Sequence, residues 1–288
     1  MNRLPRSLAA PLGALLLVLA TVFSAQPAAA APAAPRPDVA NVAHRGASGV
    51  APENTLAAIR LALKQGADVI ENDIQRTGDG QLVIVHDVSL ARTTNVEEVF
   101  PDRSPWNVGS FTLKEIKRLD AGSWFAAKFA GERIPTLREW IRAVGKAEML
   151  LEAKDPQLYP GIERDIDKEL RSIPEFTRAL REGRVTMQAG NEQWLRGYHD
   201  LAPDVPVGLL YYGVPTDAEL VAASGWLDQA NPALGNMNQA MVDRIHELGM
   251  ETYVWTVNGG QDMYRAIEWQ VDGIITNYPA VLEDILKG

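Results

Sequence analysis

A histidine and an arginine stand side by side, at His44 and Arg45, where a short apolar run ends. An imidazole can give or take a proton near neutral pH, and a guanidinium can bind two phosphate oxygens at once. The pair therefore suits proton transfer beside a bound anion. Taken alone it could equally be an ordinary surface pair, because short motifs produce many false positives.

Carboxylates follow on two further apolar segments. Glu71 and Asp73 lie two residues apart in DVIENDIQ, so on a strand both side chains point to the same face. Two neighbouring carboxylates repel each other unless a cation lies between them. Glu152 and Lys154 have the same spacing in EMLLEAK. Taken singly, the first pair could be solvated and the second a plain ion pair.

A second histidine is brought to the same place by a predicted hairpin. Only the four residues TGDG, 77–80, separate DVIENDIQ from the apolar run QLVIVHD. A link this short cannot carry a crossover between parallel strands, so the two runs should pair antiparallel, with Asp79-Gly80 in the turn. A turn centred on 78–79 would place His86 opposite Glu71.

Buried strands alternate with amphipathic helices along most of the chain. Eight predicted strands cover residues 41–46, 68–75, 148–154, 185–189, 205–212, 226–231, 250–257 and 272–277. This alternation is typical of a parallel (β/α)8 TIM barrel, in which the carboxyl ends of the strands meet at one mouth. The barrel would therefore bring the polar residues of three strands together, and the run at 81–87 would be an extra strand.

The stretch 88–135 breaks the alternation and is predicted to be a small insertion after the second barrel strand. It is too long and too aromatic for a plain connector, and loops of this length inside a compact domain are usually functional. Its aromatic side chains could form the insertion's own core or line a binding groove. They are Trp106, Trp124, Phe125 and Phe129.

The first residues are typical of a cleaved export signal. Arg3 and Arg6 precede a short apolar stretch, and small residues follow in an A-x-A pattern. We expect a signal peptide at 1–30, a flexible lead-in at 31–40 and one barrel domain at 41–288. The protein would then be secreted or held at the cell envelope, with no stable membrane anchor after processing. An uncleaved anchor is the alternative, which the shortness of the apolar stretch disfavours.

The composition of the chain limits the kinds of site it can form. It has 288 residues and no cysteine, which excludes disulfides, thiol nucleophiles and thiolate metal sites. A formal net charge of −9 without a basic run argues against nucleic-acid binding. Three carboxylates suit Ca²⁺ or Mg²⁺ better than a structural zinc. With two imidazoles and two cationic side chains, such a site suits phosphodiester cleavage.

Several spaced motifs resemble those of the glycerophosphodiester phosphodiesterase family, a relative of the phosphatidylinositol-specific phospholipases C. They are HRGASGVAPENT, ENDIQRTGDGQLVIVHD, LARTTN, IPTLREW, LLEAKDP, VWTVN and VDGIITNYP, and they span about residues 41 to 284. The resemblance implies a TIM-barrel enzyme that hydrolyses glycerophosphodiesters to glycerol 3-phosphate and an alcohol with the help of one divalent cation, Ca²⁺ or Mg²⁺. In the family, a glycerol hydroxyl attacks phosphorus first and water then opens the cyclic phosphate.

The same resemblance implies a role for each candidate residue. The acid–base pair would be His44 and His86, the metal ligands Glu71, Asp73 and Glu152, the phosphate-binding residues Arg45 and Lys154, the apolar wall for the glycerol Trp255, and the supports of the first barrel loop Glu53 and Asn54. We expect His44 to be the base and His86 the acid that protonates the leaving group.

Other functions are also consistent with the sequence. Many family members have Gln-Ser-Phe after the fourth barrel strand, where this chain has Gln188-Ala189-Gly190, so the substrate preference stays open. A same-fold enzyme could act on glycerol-phosphate polymers, or on an intact lysophospholipid or sphingolipid. An exposed apolar rim on the insertion would favour the lipid. A non-catalytic secreted binding protein is the other alternative, which the complete acid–base and metal set argues against.

Overall fold

The structure is a computed structural model that describes residue 1 and residues 39–288. Apart from residue 1, the predicted signal peptide at 1–30 lies outside the described residues, as does most of the predicted lead-in at 31–40. Among the described residues, no helix has the length and apolar character needed to cross a bilayer.

In the part of the chain that the structure describes, eight parallel strands form a nearly closed barrel, which confirms the predicted fold. Together with β3, which is antiparallel to β2, the described strands are β1 Ala40–Ala43, β2 Val69–Arg76, β3 Leu82–Ile84, β4 Glu148–Ala153, β5 Val185–Ala189, β6 Val207–Tyr211, β7 Gln229–Pro232, β8 Tyr253–Val254 and β9 Gly273–Thr276. Paired strands follow the order β7-β6-β5-β4-β2-β1-β9-β8, and β3 pairs only with β2. Isolated parallel bridges, Gln229 to Glu251 and Ala233 to Trp255, join the two ends of this order.

Helices connect consecutive strands and cover the outside of the barrel. They are α1 Leu56–Lys64, α2 Val96–Val99, α3 Leu113–Ile116, α4 Leu137–Val144, α5 Ile162–Arg171, α6 Pro174–Arg181, α7 Glu192–Leu201, α8 Asp217–Ala223, α9 Gln239–Glu247, α10 Gly260–Glu268 and α11 Pro279–Lys287. Side-chain caps fix several starts. Thr55 accepts from Ala58 N at the start of α1, and Thr136 forms a capping box with Glu139 at the start of α4.

The barrel interior is apolar near its amino-terminal end and polar near its carboxyl end. Val42, Val69 and Leu150 belong to one buried apolar cluster. Side chains alternate along a strand, so the next inward positions after Val69 are Glu71 and Asp73. Packing at one end of the barrel therefore positions the polar groups at the other.

The hairpin of β2 and β3 forms as predicted, but its register differs by one residue from the prediction. Arg76 pairs with Leu82, and the ladder ends at Ile84. Residue 87, not His86, would therefore lie across from Glu71, and His86 belongs to the loop beyond the ladder.

The turn explains the change of register. Thr77 N donates to Gln81 O, which leaves three residues in the turn, and Gly80 has a φ of 81°. A three-residue hairpin loop with glycine in the left-handed region is a common alternative to the two-residue turn. The turn centre consequently lies at residue 79.

The stretch 88–135 contains α2 and α3 and packs around an apolar core that it shares with the second strand of the hairpin. The buried members of this core are Val83, Val85, Leu90, Val96, Val108, Phe111, Ile116, Leu119, Ala121 and Ile134. Trp106 packs against it. Phe125 makes edge contacts with Trp124 and Phe129, at 5.6 and 5.8 Å between ring centroids, outside this core. The four aromatic residues thus do not share one role.

Candidate active site

A tight turn after β1 carries His44 and Arg45 at the barrel mouth. Arg45 and Gly46 have φ values of 57° and 79°. A Cβ on Gly46 would lie 2.7 Å from the carbonyl carbon of Ala58, so only glycine fits there. Arg45 N donates to Glu71 Oε2 at 2.6 Å. The left-handed turn therefore joins the first barrel loop directly to the carboxylates of β2.

Three buried carboxylates, Glu71, Asp73 and Glu152, form a cluster whose ligand atoms all lie within 4.8 Å of one another. Asp73 and Glu152 are register partners on the adjacent strands β2 and β4. Glu71 Oε1 is buried and has no hydrogen-bond partner within the described residues. A buried carboxylate oxygen without a partner is costly, and a hard divalent cation would satisfy it. The cluster therefore fits one divalent cation.

Two cationic side chains adjoin this cluster. Arg45 Nε lies 3.3 Å from Asp73 Oδ2, and Lys154 Nζ lies 2.9 Å from Glu152 Oε1 and 3.8 Å from Asp73 Oδ1. Burial would raise the pKa of Asp73, but the charges of Arg45, His86 and Lys154 hold it below its usual value. Asp73 therefore stays ionised.

The two glutamates differ from Asp73, because the pKa of each is raised. Burial, followed by the charges of Asp73 and Glu152, raises the pKa of Glu71 well above its usual value. Burial and the charge of Asp73 raise the pKa of Glu152 to about 7. Three carboxylates this close cannot all ionise at neutral pH without a cation between them. Without metal, the cluster consequently retains a proton.

Cation binding should therefore release protons. The raised pKa values mean that a proton is held below about pH 7 and must leave before both glutamates can act as ligands. We expect the apparent affinity to fall about 100-fold between about pH 8 and pH 5 if one proton is displaced. Calorimetric titration with Ca²⁺ and Mg²⁺ in buffers of different ionisation enthalpy would count the protons.

Glu148→Gln is the matched control for this titration. Glu148 also has a raised pKa because of partial desolvation and the nearby Asp68, but it is exposed at the start of β4, outside the cluster. Its replacement should leave proton release unchanged. Cation binding without pH dependence would contradict the assignment of Glu71 and Glu152 as ligands.

Glu53 and Asn54 lie against the same groups. Glu53 Oε1 accepts from Arg45 Nη1 at 2.9 Å, and Asn54 Nδ2 donates to Asp73 Oδ2 at 2.8 Å. Asn54 has a φ of 58°. A non-glycine residue in this region is held there by its surroundings, here also by the bond from Asn54 N to Arg45 O. Both contacts agree with the supporting role expected from the resemblance.

His44 is held by a residue that the sequence did not single out. Its Nδ1 lies 2.6 Å from Asn277 Oδ1, after β9. Because an amide oxygen only accepts, Nδ1 carries the proton and Nε2 is left to exchange one with a substrate. Burial and the charge of Arg45 lower the pKa of His44 to about 4. A neutral imidazole at physiological pH can serve as a base.

His86 is fixed by two neighbours although it lies beyond the β-ladder. Gln75 Nε2 donates to the carbonyl oxygens of Val85, His86 and Asp87, at 3.0, 2.8 and 2.9 Å. His86 Nδ1 donates to Asp87 Oδ1 at 2.7 Å. The Nε2 atom of this ring is therefore also left for a substrate. Neither Gln75 nor Asp87 was predicted, although both flank predicted residues within the quoted motifs.

An aromatic wall closes one side of the mouth. Trp255 Nε1 donates to Asn231 O at 2.7 Å, and its ring meets the Tyr212 ring edge-on at 5.3 Å between centroids. A Cβ on Gly190 would come within 2.5 Å of the Tyr212 ring. Gly190 thus leaves the space into which Tyr212 fits, a contact that was not predicted from the sequence.

A cavity of about 360 Å³ lies beside Tyr212, and Glu152 is the member of the carboxylate cluster that lines it. Glu152, Lys154, Gly190, Asn191 and Tyr212 are among its lining residues. The structure brings nine of the ten predicted site residues into one group at the barrel mouth, whereas Trp255 has no described contact with that group. His44, Arg45, Glu53, Asn54, Glu71, Asp73, His86, Glu152 and Lys154 form the polar group, and Trp255 belongs to the wall.

Comparison with known proteins points to one family. The model of the glycerophosphoryl diester phosphodiesterase family matches residues 44–281. A glycerophosphodiester phosphodiesterase of Caldanaerobacter subterraneus subsp. tengcongensis is 39% identical over 249 residues, which covers 85% of this chain and 97% of the relative. A Bacillus subtilis glycerophosphodiester phosphodiesterase is 36% identical over 263 residues, with 87% of each chain covered.

Solved structures share the fold. An Oleispira antarctica phosphodiesterase, solved in complex with the product sn-glycerol-3-phosphate, matches with a TM-score of 0.73 and 27% identity, over 86% of this chain and 96% of that chain. A putative glycerophosphoryl diester phosphodiesterase from Silicibacter pomeroyi matches with a TM-score of 0.74 and 27% identity, over 87% of this chain and 94% of that chain.

Proposed function

The chain belongs to the glycerophosphoryl diester phosphodiesterase family, and from that premise we propose that it is a metal-dependent enzyme that hydrolyses glycerophosphodiesters to glycerol 3-phosphate and an alcohol. The observation that carries this proposal is the buried cluster of Glu71, Asp73 and Glu152, in which Glu71 Oε1 has no hydrogen-bond partner among the described residues. Arg45 and Lys154 adjoin the cluster, and the rings of His44 and His86 lie near enough to interact with the charge of Asp73. A protein that only binds its ligand would need neither proton-transferring ring.

The phosphate would be held by Arg45 and Lys154. Arg45 is already oriented by Glu53 and Asp73, and Lys154 by Glu152. Burial would lower the pKa of Lys154, but Glu152 and Asp73 raise it, so the amine stays charged. Cationic groups fixed before the substrate arrives stabilise negative charge that develops at phosphorus without reorganisation during the reaction.

Proton transfer would be divided between the two histidines. His44 takes the proton from the attacking hydroxyl at its Nε2 atom, because its lowered pKa keeps the ring neutral. His86 gives a proton to the leaving alcohol, with Asp87 holding the ring in place. A divalent cation bound by the three carboxylates would supply further charge stabilisation at the phosphate oxygens.

Ca²⁺ and Mg²⁺ are the cations we propose for the site, because its three assigned ligands are all carboxylates. The substrate would be a water-soluble diester. Among the described residues, Trp124 is the large apolar side chain of the insertion that is most open to solvent, at 38%. One such residue is not the contiguous apolar rim that an intact lipid would require.

Export is a further part of the proposal. Arg3, Arg6 and the apolar stretch that follows them are typical of a secretory signal. The enzyme would then meet glycerophosphodiesters outside the cytoplasm, either at the cell envelope or in the medium.

Release of glycerol 3-phosphate from glycerophosphocholine tests the proposed function. We expect release by the chain lacking residues 1–30 when Ca²⁺ or Mg²⁺ is present, and loss of release with excess chelator, because the carboxylate cluster would be left without its cation. A glycerol 3-phosphate dehydrogenase assay would follow the product. The His44→Ala variant is the control for contaminating activity.

Two outcomes would contradict the proposal. Full activity in chelator would remove the metal from the reaction. Absence of release from glycerophosphocholine, glycerophosphoethanolamine and glycerophosphoglycerol with either cation would remove the activity itself. Release that needs both the cation and His44 would support it.

A further inference from the structure

We propose that Arg92 is a positioning residue that orients His86 through Asp87 and Arg45 through Glu53, so that one guanidinium sets both sides of the phosphate site. The catalytic consequence of this role rests on the proposed function, whereas the positioning itself can be measured separately. Arg92 lies in LARTTN, one of the motifs that resemble the family, and no role above makes use of it.

The first connection runs through Glu53. Arg92 Nη1 donates to Glu53 Oε2 and Arg92 Nη2 to Glu53 Oε1, both at 2.8 Å. Glu53 Oε1 also accepts from Arg45 Nη1 at 2.9 Å. The Glu53 side chain is 12% exposed, so this carboxylate between two guanidinium groups is largely shielded from solvent. A bidentate contact on one side fixes the plane of the carboxylate that holds Arg45 on the other.

The second connection runs through Asp87. Arg92 Nε donates to Asp87 Oδ2, and Arg92 Nη2 lies 3.0 Å from Asp87 Oδ1. Asp87 Oδ1 is also the atom that accepts from His86 Nδ1. The hydrogen bonds from Arg92, against the opposing effect of burial, lower the pKa of Asp87 to about 2. The acceptor for His86 therefore stays ionised, and its position is set by Arg92.

Only arginine has the geometry for both connections. Its five N–H donors lie in one plane, which allows a fork to each of two carboxylates. A lysine in this place has one charged nitrogen and could hold one carboxylate well. The Arg92 side chain is 44% exposed, so its contribution to stability is small, since exposed ion pairs add little. Arg92 therefore affects the positions of the Glu53 and Asp87 carboxylates more than the stability of the fold.

Arg92 also belongs to the insertion, near its first residues, whereas Glu53 belongs to the first barrel loop. Its bridges therefore tie the insertion to the barrel at the edge of the site. A second arginine makes a comparable link and has no described contact with the candidate site residues. Arg60 of α1 lies 3.1 Å from Glu132 of the insertion. Arg60→Ala is consequently a matched control that removes an arginine bridge between the same two parts.

The kinetic experiment compares Arg92→Ala, Arg92→Lys and Arg60→Ala, all loaded with Ca²⁺ or Mg²⁺. We expect Arg92→Ala to lower kcat/KM about 10- to 100-fold, in the range found for residues that orient active-site ligands. The turnover number should fall because His86 is misplaced, and KM should rise because Arg45 is misplaced. Arg92→Lys should recover part of the loss, and Arg60→Ala should stay within about twofold of the parent chain.

A double variant tests the route through Asp87. If Arg92 acts through this carboxylate, the fold-loss of kcat/KM in the double variant must be smaller than the product of the fold-losses in the two single variants. We therefore expect Arg92→Ala combined with Asp87→Asn to be far less impaired than that product predicts. Thermal unfolding of every variant, with Arg60→Ala as reference, separates misfolding from misplacement.

Nitrogen NMR of the imidazole rings provides a readout that needs no turnover. The chain has four histidines, so their signals can be assigned by single replacements. In the parent chain the neutral form of His86 should show the tautomer with its proton on Nδ1, whereas the form that acts as acid carries a second proton on Nε2. In Arg92→Ala a mixture of tautomers should appear, because Asp87 is no longer fixed.

Three results would overturn the role of Arg92. They are unchanged kinetics in Arg92→Ala, fully multiplicative losses in the double variant, and an unchanged His86 spectrum. If the parent chain were inactive on every diester, the proposed function would fail, while the His86 spectrum would still decide whether Arg92 positions the ring.

Discussion

Glu71→Gln should lower metal-dependent turnover by at least about 10³-fold, while the metal-free protein becomes no less stable to heat. The loss follows because glutamine removes a negative charge from the cation's ligand set. Its amide oxygen can still accept from Arg45 N, as Glu71 Oε2 does at 2.6 Å. Asp73→Asn should show a comparable loss of turnover.

The thermal stability of the metal-free Glu71→Gln protein should not fall with its turnover. Burial and two neighbouring carboxylates disfavour the ionised form of Glu71. Glutamine is neutral and has nearly the shape of the protonated Glu71 side chain, so the metal-free cluster accepts it without added repulsion. Unfolding temperature measured with chelator and with Ca²⁺ or Mg²⁺ therefore gives two readouts. The stabilisation by the cation should shrink, and the metal-free value should hold or rise.

Glu148→Gln again provides the matched control, because it neutralises another carboxyl group of raised pKa on the same strand as Glu152. It should retain turnover and stabilisation by the cation. Glu71→Gln with full turnover, or with undiminished stabilisation by the cation, would show that the carboxylate cluster is not the metal site.

His44→Ala and His86→Ala should each lower kcat about 10²- to 10⁴-fold, with a much smaller effect on KM. Both rings keep one nitrogen bound to the protein and one left for the substrate. Removing a proton-transfer group acts on the transition state more than on binding. Steady-state kinetics on glycerophosphocholine would measure both constants.

A substrate with a better leaving group separates the two roles. A glycerophosphodiester of p-nitrophenol needs little protonation of its leaving oxygen. The loss in His86→Ala should therefore shrink with this substrate, while the loss in His44→Ala persists. The opposite pattern would exchange the two assignments, and near-full turnover in either variant would remove that histidine from the mechanism.

His246→Ala is the control for these variants. His246 pairs with Asp272 at 2.9 Å and has no contact with the candidate site residues among the described interactions. Its replacement should leave both kinetic constants unchanged within about twofold.

Local patterns in the sequence predicted the barrel and the convergence of its three carboxylates. Glu71, Asp73 and Glu152 lie on strands, and strand alternation fixes the direction of a side chain from its position in the chain. The mouth of a parallel barrel then brings neighbouring strand ends together. For these residues, the alternation of side chains along a strand and the order of the elements were sufficient to predict that the side chains lie close together.

Contacts between distant loops were not predictable in the same way. Asn277 reaches His44 across most of the chain, and Arg92 reaches Glu53 from the insertion. No local period relates such residues, so only the folded structure brings them into contact. The hairpin register was wrong for a related reason, because the choice between two and three turn residues depended on the backbone conformation of Gly80.

The barrel divides its chemistry unequally between its two halves. The polar group, from His44 to Lys154, comes from β1 to β4 and the loops that follow them, whereas Gly190, Tyr212 and Trp255 come from β5 onward. Mutations in the later loops can therefore reshape the wall expected to contact the glycerol without changing the residues proposed for bond cleavage. Related proteins with this arrangement can therefore differ in the substrates they accept while they catalyse the same reaction.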